Sequence, residues 1–136
     1  MKNSFFILLV FGFFYFSNVA LSESFNLKSK KIEVLKEENQ IIAYEGEAIS
    51  NDKNLEIKSD KFIYQKNSDL LKSLGNGQAL INSEKIRIKF DNATFDQKNQ
   101  NIRANGNLEI FQDDSNFLIK NDEIFFDLKN NIISSS

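Results

Sequence analysis

The chain has 136 residues, 17 basic and 19 acidic side chains, and a net charge of −2. It contains no His, Cys, Pro or Trp, which excludes His- or Cys-built zinc sites, His-based catalytic triads and disulfides. The charges are nearly balanced and form no long block, so nucleic-acid binding lacks its electrostatic footprint.

The first 22 residues read as a secretory leader. Lys2 supplies a positive start, residues 5–16 are apolar apart from Gly12, and Ala20-Leu21-Ser22 puts small residues at the third and first positions before a cleavage point. The competing expectation is an uncleaved inner-membrane anchor, because residues 5–21 reach the short limit for a helical span. No Cys is present to carry a lipid. A single exported domain is predicted over 23–136, with a periplasmic location.

The domain opens on a bent strand. Phe25 and Leu27 are apolar in one phase, and Ile32 and Val34 in another, with Ser29-Lys30-Lys31 between them. Lys28, Lys30 and Lys31 are expected to form a solvated edge, the alternative being a contact for an acidic partner or lipid phosphate. After a turn at Lys36–Gln40, the next strand is read as the alternation Ile42-Tyr44-Gly46-Ala48. The segment LEIKSDKFIY follows, with Leu55, Ile57 and Ser59 before Asp60, and Phe62 and Tyr64 after it. A turn at Gln65–Asp69 leads to Leu71-Ser73-Gly75-Gly77-Ala79-Ile81. The same unit recurs as IRIKFDNATF, a turn at Asp96–Asn101, and Ile102-Ala104-Gly106-Leu108-Ile110. A third copy, FLIKNDEIFF, precedes a turn at Lys129–Asn131, and Ile132-Ile133 open a final half unit.

The three segments start at Leu55, Ile86 and Phe117, a spacing of 31 residues. Fixed-period similarity of this kind marks a stack of units that cannot bury their own apolar faces. The apolar phase slips after Asp60, Asp91 and Asp122, which predicts a β-bulge or corner at the middle of each strand. There the short carboxylate is expected to bond backbone N–H groups freed by the bend. Gly46, Gly75 and Gly106 are expected to mark the matching bend in the alternate strands. The predicted architecture is an all-β, creased V-shaped stack of bent antiparallel strands with apolar side chains in the crease. The candidate lining is Ile32, Val34, Ile42, Tyr44, Leu55, Ile57, Phe62, Tyr64, Leu71, Ile88, Phe95, Ile102, Leu108, Ile110, Ile119 and Phe126. Alternation alone does not distinguish a lipid-holding groove from a filled sandwich core.

LEIKSDKFIY, SLGNGQALI and NIRANGNLEI resemble the OstA-like repeat of the periplasmic lipopolysaccharide-transport proteins, found in the bridge protein LptA and in the N-terminal domain of the outer-membrane translocon protein. Asp60, Asp91 and Asp122 match the repeat's Asp, and Gly75-Asn76 and Gly106-Asn107 its Gly-Asn. Gly46 matches the Gly but is followed by Glu47, and the Ala before each Asp is replaced by Ser59, Phe90 or Asn121. The resemblance implies an open antiparallel β-jellyroll of about three and a half units. It further implies carriage of lipopolysaccharide in an apolar groove lined by Ile32, Val34, Tyr44, Ile57, Phe62, Tyr64, Leu71, Ile88, Phe95, Ile102, Leu108, Ile119 and Phe126. The implied partners are related bridge jellyrolls, or further copies of this chain, stacked end to end through terminal strands. The alternative is a strand-assembly scaffold, or an anchored or translocon-associated component, that carries no lipid itself. The carboxylates form no catalytic constellation, so no enzyme activity, cofactor or metal is expected.

Overall fold

The computed structural model describes residues 18–21, 24–113 and 117–135, with side chains left undescribed at 18–21 and 117–121. These residues form one antiparallel sheet of nine strands in sequential order. The strands are β1 (Asn18–Leu21), β2 (Phe25–Leu35), β3 (Gln40–Ser50), β4 (Leu55–Gln65), β5 (Leu70–Ile81), β6 (Ile86–Asp96), β7 (Asn101–Gln112), β8 (Phe117–Asp127) and β9 (Ile132–Ser135). Every connection described is a tight hairpin. Asn39, Asp69, Gln100 and Asn131 close the turns at one end with positive φ, and Lys53 and Lys85 do so at the other.

Each long strand bends at its middle, so its apolar residues stay on the inside of the sheet. In β4 the buried positions are Leu55, Ile57 and Ser59, then Phe62 and Tyr64, the phase slipping across Asp60. β6 repeats this with Ile86, Ile88 and Phe90, then Ala93 and Phe95. The sheet therefore has two arms. One inward row of the first arm runs Leu27, Ala48, Ile57, Ala79, Ile88, Ile110 in register. The second arm carries Val34, Ile41, Tyr64, Leu71, Phe95, Ile102, Phe126. Between these rows lies the corner.

The corner has a defined chemistry. β5 and β7 each carry one residue more than their neighbours there, and the register shifts fall at Gly75-Asn76 and Gly106-Asn107. Gly75 (φ 85°), Asn76 (φ 47°), Gly106 (φ 80°) and Asn107 (φ 46°) are all left-handed. Gly and Asn adopt that conformation at least cost. A Cβ on Gly75 would lie 2.8 Å from Oδ2 of Asp60, so the glycine also makes room for the carboxylate. Asp60 and Asp91 do not bond the freed backbone amides that the sequence reading expected. Asn76 instead donates its side-chain amide to Asp60 at 2.8 Å, and Asn107 donates to Asp91 at 2.9 Å. The bulge swings the Asn side chain towards the neighbouring strand's carboxylate, and that supplies the donor.

The first corner departs from this pattern. β3 lacks the extra residue and turns on a single left-handed residue, Glu45 (φ 51°), which pairs with Lys30 at 2.7 Å. The ion pair replaces the Asp–Asn contact, and it raises the Lys30 pKa above its ordinary value. Gly46 is thus not the counterpart of Gly75. It faces Ser29 and Ser59, as Gly77 faces Phe90.

Candidate functional site

The crease is the candidate site, and its walls follow from the two-arm register. Of the predicted lining, Ile57, Phe62, Tyr64, Leu71, Ile88 and Phe95 are fully buried, and Ile32, Leu55, Ile102, Leu108, Ile110 and Phe126 are buried. Val34 is half-buried and packs against this cluster. The structure brings all twelve buried residues into one apolar core. Ile119 belongs to β8, but its side chain lies outside the described residues.

Tyr44 is a correction, and so is Ile42. Both face outwards, because the inward residues of β3 are Ile41 and Ala43. The missing corner residue explains the error: Leu27 and Ile57 are 30 residues apart, whereas Ile57 and Ile88 are 31 apart. The run Ile41-Ile42-Ala43-Tyr44 is apolar in both phases, so bulk alone favoured the wrong one. Tyr44 sits outside with the ammonium groups of Lys31 and Lys61 5.3 and 5.5 Å from its ring centre. Such contacts stabilise an exposed aromatic ring modestly.

Sequence reading also omitted Phe25, Leu27, Ile81 and Phe90, all buried in the same core. The first two were visible as the opening of the first bent strand. Phe90 takes the corner position that Ser29 and Ser59 hold elsewhere, and its ring covers Gly77. It also packs against Phe95 on the other side of the bend, with ring centres 6.1 Å apart.

The two lips of the crease meet at the β2 end. Phe25, from the first arm, packs edge-on against Tyr64 of the second, with ring centres 6.4 Å apart. Tyr64 donates its hydroxyl to Asp69 at 2.6 Å, and Ser24 donates to the other oxygen of the same carboxylate. Asp69 lies in the β4–β5 turn, so this contact ties the start of β2 to the opposite lip. The matching positions in later units are Phe95 and Gln100, then Phe126 and Asn131, which have neither hydroxyl nor carboxylate. The latch is therefore peculiar to the β4–β5 unit.

Among the described residues no group of acidic side chains could hold a metal ion. Three of the four buried polar side chains among the described residues are satisfied. Ser29 bonds the Lys31 carbonyl at 2.9 Å, Ser59 bonds that of Leu74 at 3.0 Å, and Ser50 donates to Asp52 at 2.5 Å. The Ser50 hydroxyl, followed by the Asn54 backbone N–H, holds the Asp52 carboxyl below its ordinary pKa. The fourth, Ser73, has no partner for its hydroxyl.

No family profile matches this chain, and no curated protein matches its sequence. Solved structures do match. LptH of Pseudomonas aeruginosa, the LptA-homologous periplasmic component of the lipopolysaccharide transport device, superposes with a TM-score of 0.70 over 82% of this chain and 81% of its own. The chain has an LptA-like fold. At 8% sequence identity the likeness is one of backbone architecture. The LptA-like fold agrees with the open antiparallel β-jellyroll expected from the repeat. The sheet ends on β1 and β9 rather than closing on itself. β1 lies within the predicted leader, most of which is outside the described residues. It pairs with β2 only from Asn26 to Ser29, and β9 pairs only with the second half of β8, from Ile124 to Asp127. No described helix is long and apolar enough to cross a membrane, and the expected anchor segment falls largely on residues outside the description.

Proposed function

We propose that this chain is a periplasmic carrier module that holds lipopolysaccharide acyl chains in its apolar crease on their way to the outer membrane. The observation that carries the reading is the unbroken row from Val34 to Phe126, which crosses every long strand without a charged side chain. A filled core needs apolar rows too, but here they sit in an LptA-like fold whose LptH neighbour belongs to a lipopolysaccharide transport device.

Energetics define what such a crease does. Burying an acyl chain from water is worth about 0.8 kcal/mol per methylene. Cargo leaving a bilayer is already dry, so transfer into the crease is close to neutral. The walls are non-directional hydrocarbon, which suits sliding, and directionality has to come from partners. The lining residues are buried against one another, so cargo enters only when the lips part. At the β2 end that means releasing the contact of Ser24 and Tyr64 with Asp69.

Partners of the same architecture fit the sheet edges. Cleavage after Ser22 would remove β1 and bare Asn26–Ser29 for strand addition by another jellyroll or a second copy. The half-paired edges also support the second reading, a strand-assembly scaffold without cargo. Photoreactive residues at Phe95 and Ile57 distinguish the two. The carrier reading predicts crosslinks to lipopolysaccharide well above those from Glu56, which is exposed on the outer face. Equal yields at all three positions would remove its support.

A further inference from the structure

We infer that Ser73 is a polar contact point inside the crease, for an oxygen borne on an acyl chain. Ser73 is fully buried on the inner face of β5, and its hydroxyl has no partner. Its row reads Ala43, Phe62, Ser73, Ala93, Ala104 in register. The neighbouring row is Ile41, Tyr64, Leu71, Phe95, Ile102, bulky throughout. Ala43 beyond Phe62, and Ala93 and Ala104 on the next two strands, place small side chains along the row of this hydroxyl, which among the described residues is the buried hydroxyl without a partner. Ser29, Ser50 and Ser59 face inwards as well, yet each reaches a carbonyl or carboxylate within its own corner or turn. Ser73 is the inward residue next before the Gly75-Asn76 corner, still within the ladder that pairs it with Phe62 and Ala93.

An unpaired buried hydroxyl destabilises the protein that contains it, and alanine would fill the same place without that cost. A hydroxyl or ester carbonyl on a bound chain would satisfy it, whereas a plain methylene chain would not. Sites that hydrogen-bond a ligand oxygen discriminate against analogues lacking it, because the site group is then left unpaired. The crease would then do more than hold hydrocarbon: it would prefer oxygenated acyl chains and set their depth. This rests on the carrier reading proposed above.

The test uses two single-chain detergents of equal length, one with a hydroxyl on the chain, titrated into the exported protein and its Ser73→Ala variant. The wild type is expected to bind the hydroxylated probe about tenfold tighter, and the variant to bind both alike. Without detergent, Ser73→Ala is expected to raise Tm by a few degrees, since the change is nearly volume-conserving and removes the orphan hydroxyl. Equal binding of both probes by the wild type, or an unchanged preference in the variant, overturns the site and leaves the carrier reading standing. A lowered Tm shows that the hydroxyl is paired and overturns it as well. Failure of both proteins to bind either probe overturns the carrier reading together with the site.

Discussion

Substituting Ala for Gly77 probes the corner on which the two-arm shape depends. Gly77 pairs with Phe90 immediately after the Gly75-Asn76 bulge. A Cβ built there lies 1.9 Å from Cε1 of Phe90 and 2.3 Å from Cδ1, in the middle of the ring edge. Phe90 is 3% exposed, so the ring has no free space to enter. Overpacking typically costs about 1–3 kcal/mol, and full eviction of a buried Phe approaches the ~3–5 kcal/mol of a Phe→Ala change. The expected loss for Gly77→Ala is therefore about 3 kcal/mol. Phe90→Ala alone should cost about 3–5 kcal/mol. In the double variant the new methyl enters space the ring has vacated, so the combined loss should fall short of the sum by about 1–3 kcal/mol. Urea denaturation measures all three, with m-values checked for constancy. A Gly77→Ala loss below about 0.5 kcal/mol, or additive losses, would refute the corner register.

Two further outcomes follow from named contacts. Asp69→Ala removes the acceptor shared by Tyr64 and Ser24, and should cost about 1–2 kcal/mol in urea denaturation while Tyr64→Phe costs less; equal stability of Asp69→Ala and wild type would show that the latch does not hold the lips. The Asp52 carboxyl is held below its ordinary pKa by the Ser50 hydroxyl and then the Asn54 amide, so its stabilisation is present above the unfolded-chain value of about 3.9 and is lost as pH falls through the lower folded value. An NMR titration should find Asp52 still ionised where ordinary carboxyls are half protonated, with Ser50→Ala moving it up; an ordinary midpoint in the wild type would contradict this.

The repeat made most of the architecture legible. A period-two pattern with a phase slip at the same place in each unit leaves few alternatives to a bent antiparallel stack. The slips at Asp60, Asp91 and Asp122 located the bends. The first unit misled because its corner is one residue short, which threw Ile42 and Tyr44 onto the wrong face. Lys30 and Glu45 in place of Asp and Asn were the visible sign of that difference. The latch at Asp69 was not legible, because it joins residues 45 apart across two arms whose mutual offset no local pattern encodes. Ser73 was legible as inward-facing, but its missing partner belongs to the three-dimensional surroundings. Whether apolar rows hold side chains alone or side chains and cargo is likewise not written in their alternation.

The central claim is that the crease carries lipopolysaccharide, and lipid analysis of the protein purified from cell envelopes tests it most directly. Mass spectrometry of the extract should find lipopolysaccharide enriched over the bulk membrane lipids. Protein that comes away lipid-free, or with phospholipids in their membrane proportions, would contradict the carrier account and leave a jellyroll that only assembles.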